Sequence, residues 1–377
     1  MLFRTSVAAG RRDVTTLRPL RHYRVLALES SCDDSCVALL NKSHSSAPPT
    51  VIDQRKITLN SKKVGGIIPT AAHDFHNGSI GGLVADFCRE NGLDSANPPE
   101  LICCTRGPGM VGSLSSSLQM AKGLSVAWDV PLVGVHHMLG HIMVAKLPNR
   151  ERQNQHNAPA YPFLSLLCSG GHTLLVLLKS LTDHTVVIDV GDIAVGDSID
   201  KCARELGLTG NQLGKELEKF VNDIPQDLQN RFSKINTSSK NNEFEFLLNL
   251  PLRGPHKKPI PDTIQFDFAS FLSRIQDYLK VHPQIDETTR QFLAYKIQHT
   301  IFSHIIDRIN IALKKHGINK SLYEFADGQF DGVTDFICSG GVASNVLLRQ
   351  MLREKLLDET ALNTQFKFHF PDIELCT

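Results

Sequence analysis

The sequence predicts a duplicated α/β fold with a cleft between two lobes, and two repeated patterns carry that expectation. The first is strand, glycine turn, helix, which occurs in both halves of the chain. "LICCTRGPGMVGSLSSSLQMAKGLSVAW" runs from an apolar strand through Arg106-Gly107-Pro108-Gly109 into a helix, and "TDFICSGGVASNVLLRQMLREKL" enters a helix after Gly340 and Gly341. The second is a hairpin of two apolar runs around a polar turn. "YRVLALESSCDDSCVALLN" turns between Glu29 and Ser35, and "FLSLLCSGGHTLLVLLKS" turns between Ser169 and His172. At 377 residues the chain can form two lobes, each with its own core.

Along the chain, residues 1–24 come first, with six arginines, no lysine and one acid, Asp13. This composition fits a mitochondrial transit peptide, and a disordered basic tail would share it. Without that segment the body carries 34 basic against 38 acidic residues, so any nucleic-acid contact must come from a local basic patch. A first lobe is expected over 25–147. The polar, Pro- and Asn-rich stretch 148–162 reads as a linker. A second lobe covers 163–377, with a charged insert at about 205–290 that is poor in strand signals. After Asp286 the apolar spacing predicts a long helix with an acidic start and a basic end at Lys314, Lys315 and Gly317. No apolar run reaches the length of a membrane span. The nine cysteines form no CxxC pair, and several lie in apolar runs, which suits buried free thiols better than a disulfide framework.

Three groups of residues are candidates for chemistry. His137 and His141 in "GVHHMLGH" are four apart, so a helix would put both rings on one face, suited to two ligands of one metal. Sixteen histidines also make such a pair arise by chance. A metallopeptidase would need a glutamate after the first histidine, where this chain has Met138. The turns Ser169-Gly170-Gly171-His172 and Gly340 to Asn345 can present backbone N–H groups to a phosphate. With the acidic turn Cys32-Asp33-Asp34-Ser35 they read as a nucleotide cleft. In "VGDSIDKCARELG", Asp197 suits a helix cap and Asp200 falls inside the first turns. Arg253, Lys257 and Lys258 are candidates for phosphate contacts, although a solvated basic loop is the more common explanation of such a run.

Taken together, "LALESSCDDS", "GGIIPTAAHDFH", "TRGPGMVGSL", "AKGL", "GVHHMLGH", "CSGGHT", "GDSIDKCARELGL" and "SGGVASN" resemble a family signature. Their order and rough spacing, over about residues 25 to 377, are similar to the universal tRNA N6-adenosine threonylcarbamoyltransferase family, in its mitochondrial branch. The resemblance implies the fold of actin, the chaperone ATPases and sugar kinases. It implies transfer of threonylcarbamoyl from threonylcarbamoyl-AMP, supplied by a separate synthase, to N6 of the adenosine 3' of the anticodon in mitochondrial tRNAs reading ANN codons. It further implies a homodimer in the mitochondrial matrix, with no membrane association.

Carried over residue by residue, His137 and His141 would hold one divalent ion, zinc or iron. Leu167, Cys168, Ser169, Gly170 and Gly171 would line the phosphate and sugar of the acyl-adenylate. Asp200 matches the family's ribose-binding aspartate, and Asn345 matches the asparagine of its second glycine turn. Gly214 and Glu218 keep the family's glycine-to-glutamate spacing with one residue inserted. Asp34 stands where the family has an acidic catalytic residue near the reacting carbonyl. Two departures are visible: Thr70 replaces a glutamate, and the family's third metal ligand, an aspartate, follows the Cys-Thr pair at which this sequence stops. That second departure implies an alternative, a catalytically incomplete nucleotide-binding dimer.

Overall fold

Alternating burial in the first hairpin, over 23–42, and nearly continuous burial in the second, over 163–178, organise two sheets. The computed structural model describes residues 23–43, 49–61, 67–147, 158–253, 263–316, 329–358 and 366–376. Residues 1–22 and 148–157, which hold most of the expected transit peptide and linker, lie outside the described residues, as do Lys257 and Lys258.

Contacts divide the chain into two units, Met1–Thr58 with His73–Val135 and Leu59–Ala72 with His136–Thr377. In the first, β1 (Tyr23–Glu29) and β2 (Asp34–Lys42) form an antiparallel hairpin with Glu29 opposite Cys36, and β3 (Thr50–Thr58) extends it. After α1 (Pro69–Glu90), β4 (Leu101–Gly107) returns parallel to β1, followed by α2 (Val111–Trp128) and β5 (Leu132–His136). The sheet order is β3-β2-β1-β4-β5. Leu26, Leu28, Val37 and Leu39 bury one face against Ile80, Val84 and Phe87 of α1 and Ala121 of α2. Tyr23 and Arg24, grouped by composition with the leader, belong to β1. The Arg24 backbone N donates to Glu100 at 2.6 Å and its guanidinium to the Pro98 carbonyl at 2.7 Å.

The second unit repeats the plan. It begins with α3 (His137–Met143), then β6 (Phe163–Cys168), β7 (Thr173–Leu178) and β8 (His184–Val190) as an antiparallel meander. Next come α4 (Val195–Glu205), α5 (Leu213–Asn222), α6 (Gln226–Lys234), the short β9 (Gln265–Phe266), α7 (Ala269–Val281) and α8 (Glu287–Lys315). Then β10 (Asp335–Ser339), α9 (Val346–Asp358) and β11 (Lys367–His369) follow, with β10 parallel to β6. Strand order β8-β7-β6-β10-β11 matches β3-β2-β1-β4-β5, with β9 added outside β8. The α/β doubling expected from the sequence is therefore present in the topology.

Two expectations are corrected. The boundary between units falls at Val135/His136, not after residue 147, so the histidine pair belongs to the second unit. The cause is packing: Ile142 and Ala145 join Phe163, Val176, Leu178 and Ile337 in one cluster. The glycine turn after β10 does not enter α9 directly either. A 3-10 turn, Gly341–Ser344, intervenes. The long helix is as expected: Asp286 caps α8, accepting from the Thr289 N at 2.7 Å. Among the described residues no helix is long and apolar enough to cross a membrane.

Candidate functional site

The second unit gathers most of the candidate residues into a ring of contacts. It begins at the end of β6, where Leu167 and Cys168 are fully buried and the chain turns at Ser169. The turn closes on itself, with the Ser169 N donating to the His172 carbonyl at 2.8 Å and the His172 N to Ser169 Oγ at 3.0 Å. Gly170 and Gly171 are exposed, and added side chains there would meet nothing within 4 Å.

Two other glycines press on this turn from either side. Gly340 has φ +96°, and a Cβ on it would lie 2.4 Å from the Cys168 carbonyl oxygen. Only glycine fits there, for conformation and for space. On the other side Gly196, near the start of α4, would carry a Cβ 2.8 Å from Gly170 Cα, and its N donates to the Ser169 carbonyl at 3.2 Å. Thr173 Oγ1 accepts from the Val195 N at 2.9 Å, fixing the same helix end.

From α4 the ring continues through α5 to α9. Asp200 sits one turn into α4, and a Cβ on Gly214 would lie 3.5 Å from its Oδ1, so α5 packs close to that carboxylate. Four residues after Gly214, Glu218 Oε1 accepts from the Val346 N at 2.8 Å, at the first turn of α9. Asn345 caps the same helix, accepting from the Leu348 N at 3.2 Å, and returns the chain to the Gly340 turn. Burial raises the Glu218 carboxyl above its ordinary value, with the Val346 N–H pulling it back.

His137 and His141 stand beside this ring on α3. Met138 and Ile142 anchor the buried face of that short helix, which leaves the two imidazoles together on the next face. Their Nε2 atoms are 3.1 Å apart, and their ring planes cross at 80°. Two imidazoles on one tetrahedral metal would hold their nitrogens about 3.3 Å apart, so the pair fits a shared ion. The donor set of neutral nitrogens suits zinc or iron. Among the described residues, no group of three or more His, Cys, Asp or Glu side chains has metal-holding geometry.

Sequence reasoning named His172 only for its backbone in the glycine turn, and missed Gly196. His172, directly after the glycine pair, lies with its ring centroid 6.3 Å from that of His137. Burial, then His137 and His136, push its imidazole below the ordinary value, so it is neutral at physiological pH. Gly196 was visible only as a glycine before Asp197; its pairing with Ser169 spans the two strands β7 and β8, and no local pattern signals it. Asp197 does not cap α4. It bonds Lys201 at 2.8 Å instead. Arg253, a candidate for phosphate contact, is ion-paired with Asp307.

Asp34 belongs to the first unit. Thr58 Oγ1 donates to its Oδ1, and Lys56 Nζ lies 3.2 Å from its Oδ2. Around it, His76 Nδ1 is 2.6 Å from Ser35 Oγ, and its Nε2 is 2.8 Å from the Cys32 carbonyl oxygen. Gly109 packs on the same turn, where a Cβ would lie 2.7 Å from that of Ser31.

Comparison with known proteins adds the chemistry. Residues 50–377 match the family model described as TsaD, tRNA N6-adenosine threonylcarbamoyltransferase. The chain is 30% identical over 373 residues to the mitochondrial tRNA N6-adenosine threonylcarbamoyltransferase of Schizosaccharomyces pombe, covering 96% of this chain and 81% of that one. It is 30% identical over 356 residues to the tRNA N6-adenosine threonylcarbamoyltransferase of Clostridium beijerinckii, covering 94% and 88%. Among solved structures, component A of the Acidaminococcus fermentans (R)-2-hydroxyglutaryl-CoA dehydratase aligns over 93% of this chain and 91% of that one, at 12% identity and a TM-score of 0.46. With the family model spanning most of the sequence, the chain belongs to the tRNA N6-adenosine threonylcarbamoyltransferase family and is a tRNA-modifying transferase.

Proposed function

We propose that the chain transfers threonylcarbamoyl from threonylcarbamoyl-AMP to N6 of the adenosine 3' of the anticodon in mitochondrial tRNAs that read ANN codons. The observation that carries this reading is the ring joining Cys168–Gly171, Asp200, Gly214, Glu218 and Asn345, with the histidine pair beside it. A ring of spare backbone donors, a carboxylate and a capped helix start suits a nucleotide that carries an acyl group.

In the reaction the adenosine N6 attacks the carbamoyl carbonyl carbon. A C–N bond forms, the C–O bond to phosphate breaks, AMP leaves with that electron pair, and N6 gives up a proton. The exposed N–H groups of Gly170 and Gly171 would bond the phosphate oxygens and stabilise the charge that AMP takes away. Asp200 would accept from the ribose hydroxyls. Asn345 and Glu218 would fix the first turn of α9 against the nucleoside. Asp34, held by Thr58 and Lys56, is assigned a polar contact near the reacting carbonyl. His137 and His141 would hold one divalent ion, whose chemistry there is Lewis-acid polarisation of the acyl end. Most of the remaining acceleration is orientation of the tRNA amine.

The arginine-rich first 24 residues, together with the mitochondrial relative in Schizosaccharomyces pombe, support a matrix location. A separate synthase would supply the acyl-adenylate, and a homodimer is the working form we assign. Sedimentation of the purified protein tests the dimer. The activity test incubates the protein with threonylcarbamoyl-AMP and unmodified mitochondrial tRNA, with and without a chelator, and looks for the modified nucleoside by mass spectrometry. Product that the chelator suppresses is the expected result. No product, with donor binding intact, would leave a nucleotide-binding dimer in its place.

A further inference from the structure

Arg349 is a buried cation that the transfer chemistry above does not use. It lies on α9 and is 5% exposed. Its Nε donates to the Ala343 carbonyl at 2.6 Å, inside the glycine turn. Its Nη2 donates to the Pro371 carbonyl at 2.9 Å and reaches Cys376 Sγ at 3.3 Å. The guanidinium carbon stands 5.1 Å from the centre of the Phe370 ring. Among the described residues no carboxylate forms an ion pair with it. The carboxyl that feels this charge, Glu218, is lowered by it without forming a direct ion pair. Burying a charge so loosely compensated is costly, and an apolar side chain of similar length would fill the space more cheaply. Stability alone therefore does not account for an arginine here.

The two segments it joins border the proposed donor site. One is the turn from Gly340 to Asn345, whose first residue presses on the Cys168 carbonyl and whose last caps α9. The other is the stretch 371–376, which also approaches the turn directly: a Cβ on Gly341 would lie 3.8 Å from the Cys376 carbonyl oxygen. A planar fork can serve acceptors in both segments at once, whereas a lysine, with a single ammonium, cannot hold both in the same geometry.

We propose that Arg349 is a positioning residue of the transferase, its guanidinium locking the glycine turn 340–345 to the segment 371–376 and so setting the donor subsite. This rests on the function proposed above. The test compares the unaltered protein with Arg349→Lys and Arg349→Met, varying threonylcarbamoyl-AMP and tRNA separately. In parallel, the rate of Cys376 alkylation by iodoacetamide is read by peptide mass spectrometry. Burial pushes that thiol up to about 11, so its reaction in the intact protein is slow.

Losing a charge-assisted hydrogen bond should raise KM for the acyl-adenylate about tenfold in Arg349→Lys and further in Arg349→Met, with KM for tRNA unchanged. Cys376 alkylation should quicken in both variants. Guanidinium ion added to Arg349→Ala should restore part of the donor affinity. The proposal is overturned if KM for the donor stays constant, if both KM values move together, or if both variants fail to fold, which would make Arg349 structural alone. Should the unaltered protein form no product, the proposed function itself fails, and the alkylation rates decide whether Arg349 holds the segment.

Discussion

The hairpin turn of the first unit and that of the second are built alike and end differently. Each is crowded by a glycine from another strand-to-helix junction: Gly109 against Ser31 in one, Gly340 against Cys168 in the other. In the first unit the polar atoms around the turn are consumed internally. Ser30 Oγ lies 2.6 Å from the Ser113 carbonyl and 2.7 Å from Ser117 Oγ, while Ser35 and Cys32 are taken by His76. In the second unit the N–H groups of Gly170 and Gly171 donate to nothing among the described residues, and the space above them is open. One backbone motif thus serves as a joint in one place and as a binding surface in the other. What separates the two is the hydrogen-bonding capacity left over.

The largest test of that difference is a pair of glycine substitutions. Gly340→Ala forces a Cβ into the Cys168 carbonyl at a backbone angle that disfavours it, and should cost roughly 3–5 kcal/mol in urea unfolding. Gly171→Ala should stay within about 0.5 kcal/mol of the parent, because nothing lies near the new methyl, yet it should raise KM for the acyl-adenylate. Equal losses of stability from both would break the comparison.

His141→Ala comes next. With one imidazole left, affinity for zinc should fall by about a hundredfold or more, measured by competition with a chromophoric chelator. An unchanged affinity would remove the histidine pair from the site. A smaller contrast sets Asp200→Asn beside Ser117→Ala. The first should raise KM for the donor about tenfold with an unchanged melting curve. The second should lower stability by about 1 kcal/mol and leave KM alone, since among the described residues the partners of Ser117 lie within its own unit.

How far the sequence reaches depends on the range of the interaction. Both hairpins, the Gly107–Gly109 junction into α2 and the long helix α8 were legible, because apolar runs, glycine turns and helical periodicity act over a few residues. The histidine pair was legible for the same reason, being one helical turn long. The unit boundary was not: α3 goes with the second sheet because Ile142 and Ala145 pack on Phe163 and Val176, and no local pattern records that choice. Arg24 fits both the basic leader by composition and the first hairpin by apolar pattern, and Glu100 and Pro98, more than seventy residues away, hold it in β1. Arg253 looked available for phosphate until Asp307 was found opposite it. Gly196 was missed, and the His172 ring was left without a role, for the same reason, since contacts made by the fold give them their place.

The smallest expected effect concerns the carboxyl groups of the two regions. Asp33 and Glu218 are both raised by burial, but the largest influence after burial differs: the Asp34 charge raises Asp33 further, against weaker lowering by Cys32 and Lys56, whereas the Val346 N–H pulls Glu218 down. A carboxyl raised in the folded state binds its proton more tightly there than in the unfolded chain. Its contribution to stability is therefore complete below the unfolded value, 4.5 for a glutamate, and is lost as pH rises through the folded value. Glu218→Gln should flatten the dependence of the urea midpoint on pH just above 4.5. Asp34→Asn should lower the Asp33 titration by removing a like charge, read from side-chain carboxyl shifts by NMR. An Asp33 titration that stayed in place would mean that burial alone raises it, and the contrast with Glu218 would then lie only in the Val346 N–H.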